Sequence, residues 1–319
     1  MISIVIPNFN GLEHLKTCYE SLKKQTCKEF SLVLVDNGSK DDSVKYTREA
    51  FGNAALIQLG LNKGFAGAVN EGIKHSIEKI RSDYILLLNN DIELSPDFIE
   101  NGLNAFERNP DASIVAVKMM NYYRRELIDD CGDFLKGKGG SPYARGFGET
   151  DKGQYDKPEY IFGACAGAAF YKTSLFQLVG LFDEKFFAYI EDVDFSFRCQ
   201  LMDFKCYYDP LIVCYHKRGG TSSIATHGFQ TEMSERNLVL MRFRNYPIMM
   251  YILYQPLFFA ARVRRYYRFT RDFSLSLFLR ALRGYLRGLA IVWSEAPERR
   301  RIQKSKKVSV KYIKSLFVK

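Results

Sequence analysis

An apolar run ends abruptly in three polar residues at Tyr84-Ile85-Leu86-Leu87-Leu88-Asn89-Asn90-Asp91. Such a short apolar run is typical of a strand that is buried on both faces, as in the parallel sheets of α/β proteins. A carboxylate at the end of a buried strand is costly unless it caps a turn, pairs with a cation or binds a metal. The run therefore predicts a buried strand that ends either in a capped turn or in a polar site at Asp91.

Similar apolar segments lie at residues 2–6, 31–35, 55–58 and 114–118, and amphipathic helices separate them. This alternation predicts an α/β fold, a Rossmann-like and mostly parallel sheet with helices on both faces. Asn- and Asp-rich turns follow several of the strands, and ligands of such sheets bind at the carboxyl ends of strands. We therefore expect a cleft for a polar small molecule along that edge.

The remaining local signals are helix boundaries and one long connection. Ser95 and Pro96 have the residue types of a helix N-cap and first helical position. A third helix is expected over 65–80, and another from Glu191 to about residue 202. Residues 121–160 are rich in Gly, Lys, Asp and Tyr, which favours an irregular connection that acts as a mobile lid or acceptor loop.

Composition sets the broad class of protein. The chain has 319 residues, of which 47% are hydrophobic and 26% charged, typical of a globular protein with a sizeable core. The 7 cysteines form no CxxC pair and no zinc-finger spacing, so unpaired thiols in a reducing compartment are the simplest account. The first residues enter a strand directly and lack the pattern of a signal peptide.

The net charge of +10 is concentrated near the carboxyl terminus, where residues 242–319 hold 19 Lys and Arg against 3 Asp and Glu. The longest apolar stretch there, 246–261, is interrupted by two prolines, whereas a bilayer span needs about 20 apolar residues. Arginines interleaved with apolar residues predict helices that lie in the interface of an anionic membrane. Nucleic acid is the competing partner, but no binding motif supports it.

Candidate ligand-binding residues follow the strands. Asp36 is either a turn residue or a carboxylate that accepts the imide N–H of a pyrimidine. The segment 62–67 opens a helix with Lys63 and two glycines, and backbone N–H groups at a helix start favour phosphate. Its spacing is neither that of a Rossmann nor that of a P-loop site. Asn70, one turn further on, is expected to face the cleft.

Two candidates for chemistry lie in the second half of the chain. Asp192 follows an apolar segment and is a candidate general base, although acids in a first helical turn are also favoured by the helix dipole. Asp194 and Arg198 are spaced to pair on one helix face, a structural role. His216 ends a strand and precedes the basic Gly-Gly segment 217–222, so it is either structural or part of a diphosphate site.

Seven segments, in order over residues 1–225, resemble the family-2 glycosyltransferases of the glycosyltransferase A fold, especially the bacterial rhamnosyltransferase-like branch. The segments are 3–10, 35–39, 62–72, 87–91, 180–187, 191–194 and His216. The metal motif departs from Asp-X-Asp, because Asn-Asn-Asp supplies one carboxylate. The basic tail is also similar to the membrane-associated helices common in this branch.

The resemblance implies an inverting, metal-dependent transfer of a sugar from a nucleotide-diphosphate donor to a hydroxyl. Asp91 and His216 would bind Mg²⁺ or Mn²⁺, and Asp192 would take the proton of the acceptor hydroxyl. Tyr189 and Glu191 would contact the acceptor. The nucleotide would be bound by Pro7, Asn8, Asp36, Asn37, Asn62, Lys63, Gly64, Asn70 and Asn89.

The resulting hypothesis is a rhamnosyltransferase that uses dTDP-rhamnose and a lipid-linked glycan in bacterial surface polysaccharide synthesis (O-antigen or capsule). The alternatives are a UDP-hexose-dependent transferase of the same fold and an inactive membrane-bound scaffold. Residues 1–225 would be the catalytic domain, with a nucleotide-binding half to about 120 and an acceptor-binding half from about 160. Residues 226–319 would be peripheral helices on the inner face of the cell membrane.

Overall fold

The computed structural model describes residues 1–137, 139–217, 224–273 and 275–318, so most of the basic Gly-Gly segment lies outside the described residues. Two compact units divide the chain. The first comprises Met1–Asp133, Ala144–Phe187 and Phe204–Gly220, and the second comprises Phe134–Tyr143, Ala188–Asp203 and Thr221–Lys319. The functional division at residue 225 stays a prediction, because compactness alone assigns no function to a unit.

Strands and short helices alternate through the first unit, and longer helices dominate the second. The strands are β1 (Ile2–Asn8), β2 (Phe30–Asp36), β3 (Ala55–Gln58), β4 (Tyr84–Leu88), β5 (Ile92–Leu94), β6 (Ala112–Asn121), β7 (Ile128–Asp130), β8 (Asp133–Lys136), β9 (Ser141–Ala144), β10 (Glu159–Ile161), β11 (Ala168–Lys172), β12 (Lys205–His216) and β13 (Phe317–Val318). The helices are α1 (Leu12–Lys23), α2 (Ser43–Ala50), α3 (Gly64–His75), α4 (Phe98–Arg108), α5 (Thr173–Val179), α6 (Glu191–Leu201), α7 (Ile224–Asn245), α8 (Ile248–Leu253), α9 (Gln255–Arg268), α10 (Leu275–Ile291), α11 (Ala296–Ser305) and α12 (Val310–Ser315).

The first unit is built on one sheet with the strand order β10-β12-β6-β11-β4-β1-β2-β3, to which β5 and β7 add at β12 and β6. The strand β1 pairs in parallel with β2 and β4, and β2 pairs in parallel with β3. The strands β6 and β12 are also parallel, whereas β11 runs antiparallel between β4 and β6. Residues 85–88 of β4 are fully buried. The predicted mostly parallel α/β fold is confirmed.

Two local expectations were wrong. The helix α4 begins at Phe98 with Asp97 at its N-cap, and Ser95 and Pro96 instead follow β5, a three-residue strand without a clear sequence signal. Residues 121–160 are not a single irregular loop, since they contain β7, β8, β9 and the start of β10. The third helix is α-helical only to His75 and continues as a π-helical turn over Ser76–Ile80.

The second unit is mostly helical, with β8, β9 and β13 forming a small sheet. The arginines of α10 are tied to α7, because Glu232 accepts hydrogen bonds from Arg280 at 3.1 Å and Arg287 at 2.7 Å. Glu235 pairs similarly with Arg265 of α9 at 2.6 Å. No helix among the described residues is both long and apolar enough to cross a bilayer.

The contact between α7 and α10 depends on glycine. Gly284 is buried against the backbone of α7, and a Cβ added there would lie 2.1 Å from the carbonyl oxygen of Glu232. Gly288, one turn along, would place its Cβ 2.9 Å from the carbonyl oxygen of Arg236. Any larger residue at Gly284 must therefore push the two helices apart.

Replacing Gly284 by alanine tests this close approach. We expect the free energy of unfolding to fall by roughly 1–3 kcal/mol, as for other overpacked sites, measured by chemical denaturation. Gly228→Ala on α7 is the matched control, since its added Cβ meets only the Arg280 side chain at 3.7 Å and alanine is favoured over glycine in helices. Wild-type stability of Gly284→Ala would contradict the described packing.

Candidate functional site

Asn8 connects three turns at the carboxyl edge of the sheet. It ends β1 opposite Asp36 of β2 and is almost fully buried. Its side-chain amide donates to Ser39 Oγ at 3.2 Å, and its Oδ1 accepts from Asn90 Nδ2 at 2.7 Å. The turns after β1, β2 and β4 are therefore held together by one asparagine, as expected for neighbouring parallel strands.

The Asp36 carboxylate has a structural role in its own turn. Both of its oxygens lie 3.3 Å from the backbone nitrogen of Ser39, which donates to them. The side chain is buried, with an exposed fraction of 6%. The turn function that the sequence left open is thus present, and a role toward a nucleotide base stays a prediction.

The start of α3 is shaped by two asparagines. Asn37 donates to Asn62 Oδ1 at 3.0 Å and accepts from the backbone nitrogen of Lys63 at 2.8 Å. Asn62 accepts from the backbone nitrogen of Gly64, also at 2.8 Å. Gly64 has a φ of +75°, and a Cβ there would lie 2.4 Å from the carbonyl oxygen of Phe187, so only glycine fits.

Other predicted nucleotide-binding residues lie at the same edge or below it. Pro7 precedes Asn8 on β1, and the backbone nitrogen of Asn89 donates to the Gly167 carbonyl at 2.7 Å. Asn70 is buried and exchanges hydrogen bonds with the backbone of Phe182 at 2.8 and 3.1 Å. Its amide therefore fixes the segment before α6.

Asp91 and His216 are brought together by strand pairing. His216, at the end of β12, pairs antiparallel with Ile92 at the start of β5, immediately after Asp91. The Nε2 of His216 lies 3.4 Å from Asp91 Oδ1, and its Nδ1 lies 2.8 Å from Asp129 Oδ2. Two carboxylates thus flank one imidazole.

The pKa values of this cluster reflect competition between burial and charge. Burial lowers the pKa of His216, but hydrogen bonds and charges of Asp129 and Asp91 outweigh it and raise the pKa to about 9. Burial raises the pKa of Asp91, and the hydrogen bond and charge of His216 outweigh it, so the net shift is downward. Each group therefore stabilises the charged form of the other.

Asp129 was missed by the sequence analysis. It lies on β7, within the segment expected to be irregular, and its side chain is fully buried. A carboxylate on the second nitrogen of a histidine is the usual support of a metal-binding imidazole, because it fixes the tautomer and the ring orientation. The sequence contained no signal that selects Asp129 from the neighbouring acids.

The donor atoms at Asp91 and His216 fit a divalent cation. A carboxylate oxygen and an imidazole nitrogen are suitable ligands for Mn²⁺, and a carboxylate also suits Mg²⁺. Within the described residues there is no group of three or more potential protein ligands. The cluster can therefore supply only part of a coordination sphere, and the other ligands must come from substrate or water.

The start of α6, in the second unit, is acidic. Glu191 is buried, and burial together with the charge of Asp192 raises its pKa well above the usual value. Asp192 is half-buried, and its Oδ1 accepts from the backbone nitrogen of Val193 at 2.8 Å. Asp194 pairs with Arg198 at 2.9 Å, as predicted from their spacing, so it is occupied structurally.

The backbone just before α6 is strained. Tyr189 and Ile190 have φ values of 69° and 71°, in the left-handed region that non-glycine residues seldom adopt. Asn237 of α7 donates to the carbonyl oxygens of Ala188 at 3.0 Å and Tyr189 at 2.7 Å. Such strain persists only where the surroundings hold it, and it is often found at functional sites.

The mostly parallel sheet, with polar turns along its carboxyl edge, has the glycosyltransferase A fold. The mannosyltransferase PcManGT from Pyrobaculum calidifontis, solved with GDP-Man and Mn²⁺, has this fold. It superposes with a TM-score of 0.56 at 13% sequence identity, covering 95% of this chain and 85% of that chain. At this identity the likeness shows the fold alone.

The chain belongs to glycosyltransferase family 2, since residues 3–179 match the model of Glycosyl transferase family 2. It is 26% identical over 255 residues to the N-acetylglucosaminyl-diphospho-decaprenol L-rhamnosyltransferase of Mycobacterium tuberculosis, covering 71% of this chain and 81% of that protein. It is also 26% identical over 203 residues to the low-salt glycan biosynthesis hexosyltransferase Agl10 of Haloferax volcanii, covering 62% of this chain and 61% of that protein. The chain is a glycosyltransferase, and inversion is typical of this family.

Replacing Asn237 by leucine should release the strained segment, because two carbonyl groups lose their donor while Tyr189 and Ile190 keep left-handed φ values. We expect backbone amides 188–192 to exchange with deuterium at least roughly tenfold faster, since each lost hydrogen bond costs about 1 kcal/mol. Hydrogen exchange with mass spectrometry measures this. Asn101→Leu, at a partly exposed position of α4, is the control, and unchanged exchange in Asn237→Leu would show that Asn237 does not hold the segment.

Proposed function

We propose that the protein transfers a sugar, best assigned as rhamnose from dTDP-rhamnose, to a hydroxyl of a lipid-linked glycan in bacterial surface polysaccharide synthesis. The cluster of Asp91, His216 and Asp129 at the carboxyl edge of the sheet is the observation that carries this proposal. The likeness to a rhamnosyltransferase named for a diphospho-decaprenol acceptor supports the choice of sugar and acceptor class.

The donor nucleotide is proposed to bind along the edge formed by the turns after β1, β2 and β4. Pro7, Asn8, Asp36 and Asn89 lie on or directly after these strands. Asn37, Asn62, Lys63, Gly64 and Asn70 add the start of α3, where the positive end of the helix dipole and a lysine favour phosphate. The extensive hydrogen bonding among these residues supports the proposal, because a pre-formed site loses little entropy on binding.

Mg²⁺ or Mn²⁺ would be held by Asp91 and His216, with Asp129 orienting the imidazole. When bound, the cation supplies charge neutralisation of the leaving nucleotide diphosphate. The protein structures that share this fold include one crystallised with GDP-Man and Mn²⁺, in agreement with this assignment. With one carboxylate in the Asn-Asn-Asp motif, the diphosphate itself would contribute to cation affinity.

Asp192 is proposed as the general base that takes the proton of the acceptor hydroxyl as the oxygen attacks the anomeric carbon. A single in-line displacement without a protein nucleophile inverts the configuration. The pKa of the adjacent Glu191 is raised, first by burial and then by Asp192, so Glu191 is the carboxyl group whose charge is disfavoured. Tyr189 and Glu191 would then contact the acceptor.

The arginine-rich helices α9 and α10 are proposed to rest on an anionic membrane surface, which would place the enzyme on the inner face of the cell membrane. Arg280, Arg283 and Arg287 keep about half or more of their side chains exposed although they share Glu232. Each basic residue near anionic lipid contributes about 1 kcal/mol. Nucleic acid is not a proposed partner.

Two alternatives stay open for the function. A UDP-hexose donor would keep the fold and the mechanism, and the likeness to the hexosyltransferase Agl10 favours this second candidate. An inactive membrane-bound scaffold would need neither the Asp91–His216 pair nor its buried support at Asp129. The presence of all three groups in contact supports an active enzyme.

Thermal stabilisation by dTDP, UDP, GDP and CDP, each with and without Mn²⁺ or Mg²⁺, tests the donor site. We expect dTDP with metal to stabilise the protein most, whereas a preference for UDP would support the hexosyltransferase, and no response to any nucleotide would overturn the proposed donor site. Asp129→Asn should weaken the metal-dependent part of the nucleotide stabilisation, because groups that support a metal-binding histidine change metal affinity roughly 10–100-fold. Asp130→Asn is the control, because Asp130 instead accepts from the backbone nitrogen of Gly132.

Asp192→Asn should lower the rate of transfer at least about 100-fold, the usual minimum contribution of a general base, and leave nucleotide-dependent stabilisation intact. Kinetics with a radiolabelled sugar nucleotide and a lipid-linked acceptor measure the rate. Asp203→Asn, an exposed position just after α6, controls for the loss of one negative charge. Turnover close to wild type in Asp192→Asn would assign the base elsewhere.

A further inference from the structure

The helix α10 has an apolar stripe on the face that does not pack against α7. Its buried positions are Ala281, Gly284 and Gly288. The opposite face of α10 carries four leucines, spaced by three, four or seven residues, with exposed fractions of 41–67%. These are Leu275, Leu279, Leu286 and Leu289. The stripe leads toward Trp293, in the short 3-10 helix that follows, which is 77% exposed.

A cavity of about 370 Å³ begins at this tryptophan, within the second unit. Phe243, Ile248, Trp293 and Ala296 form its apolar wall. The rings of Phe243 and Trp293 meet edge to face, with centroids 5.9 Å apart. Ligand pockets in proteins are usually of this size or larger and are apolar, with a few polar groups that fix orientation.

The polar groups of this cavity are mainly cationic. Arg299 and Arg300 of α11 line it, Arg299 being nine-tenths buried and Arg300 exposed. Arg299 donates through Nη1 to the carbonyl oxygen of Phe243, which leaves most of its donors available. Among the described residues, neither arginine has a carboxylate within salt-bridge distance. A buried guanidinium without a counter-charge favours an anionic ligand.

We propose that this pocket binds the isoprenoid phosphate portion of the lipid-linked acceptor. The proposal rests on the function proposed above and adds a binding site to it. An apolar wall with arginines beside it matches a ligand in which an apolar chain is joined directly to a phosphate. A free sugar would gain nothing from the wall, and a nucleotide would gain nothing from the leucine stripe.

A built-in reporter makes the proposal testable, because Trp293 is the only tryptophan of the chain. Geranylgeranyl diphosphate, below its micellar concentration, should shift and saturate the tryptophan emission of the full-length protein. Geranylgeraniol lacks the phosphate and inorganic pyrophosphate lacks the chain. Each of these two compounds should need at least roughly tenfold higher concentration than geranylgeranyl diphosphate to produce the same emission change. Charge-assisted hydrogen bonds and apolar burial both contribute to binding, and each compound lacks one of them.

Variants separate the two parts of the site. Arg300→Gln should weaken the binding of geranylgeranyl diphosphate roughly tenfold and leave the binding of geranylgeraniol unchanged, because only a charge-assisted contact is removed. Ile248→Asn, at another exposed position, should weaken the binding of both ligands, because Ile248 belongs to the apolar wall. Arg264→Gln on α9 is the matched control for charge and should alter neither titration. Equal effects of Arg300→Gln and Arg264→Gln would overturn the phosphate assignment.

Vesicles of phosphatidylglycerol distinguish the acceptor lipid from the bulk membrane. If the pocket is specific, geranylgeranyl diphosphate reverses any emission change that the vesicles cause. An emission change that only vesicles produce would overturn the pocket and make Trp293 a membrane contact. Failure of the pocket together with normal nucleotide stabilisation would leave the proposed function standing, whereas loss of nucleotide stabilisation in the wild-type protein would remove that function independently.

Discussion

The parallel pairing of β1 with β2 on one side and β4 on the other sets the position of the polar turns that follow these three strands. Because the three strands end at nearly the same level, their turns must satisfy one another's buried polar atoms. Asn8 does so by bonding to Ser39 and Asn90. Without this register, the asparagine-rich turns would leave unpaired amides in the interior, at a cost of about 1–3 kcal/mol each.

A second constraint acts where β12 meets β5. The antiparallel pairing of His216 with Ile92 places the imidazole between Asp91 and Asp129. Two carboxylates close to one ring would repel each other strongly in a buried environment if the imidazole were neutral. The cluster is therefore an electrostatic unit in which the positive centre is required, whether the charge is a proton or a cation from outside.

Much of the sheet could be predicted from sequence, because buried parallel strands are continuous apolar runs, and 84–88 was such a run. The start of α6 and the Asp194–Arg198 pair also followed from local spacing. The proximity of Asp91 and His216 came only from the family resemblance, since it depends on the three-residue β5. Asp129 could not be found at all, because its partner is 87 residues away and its strand is just as short.

The helix α7 serves several contacts at once, and this limits how the chain can change length. Its 22 residues span about 33 Å, with Glu232 and Phe243 on one face and Asn237 on another. One inserted residue would rotate everything after it by about 100° and so separate these contacts. Insertions and deletions are therefore incompatible with the middle of α7, and any natural length variation in the second unit must fall in the connections between its helices.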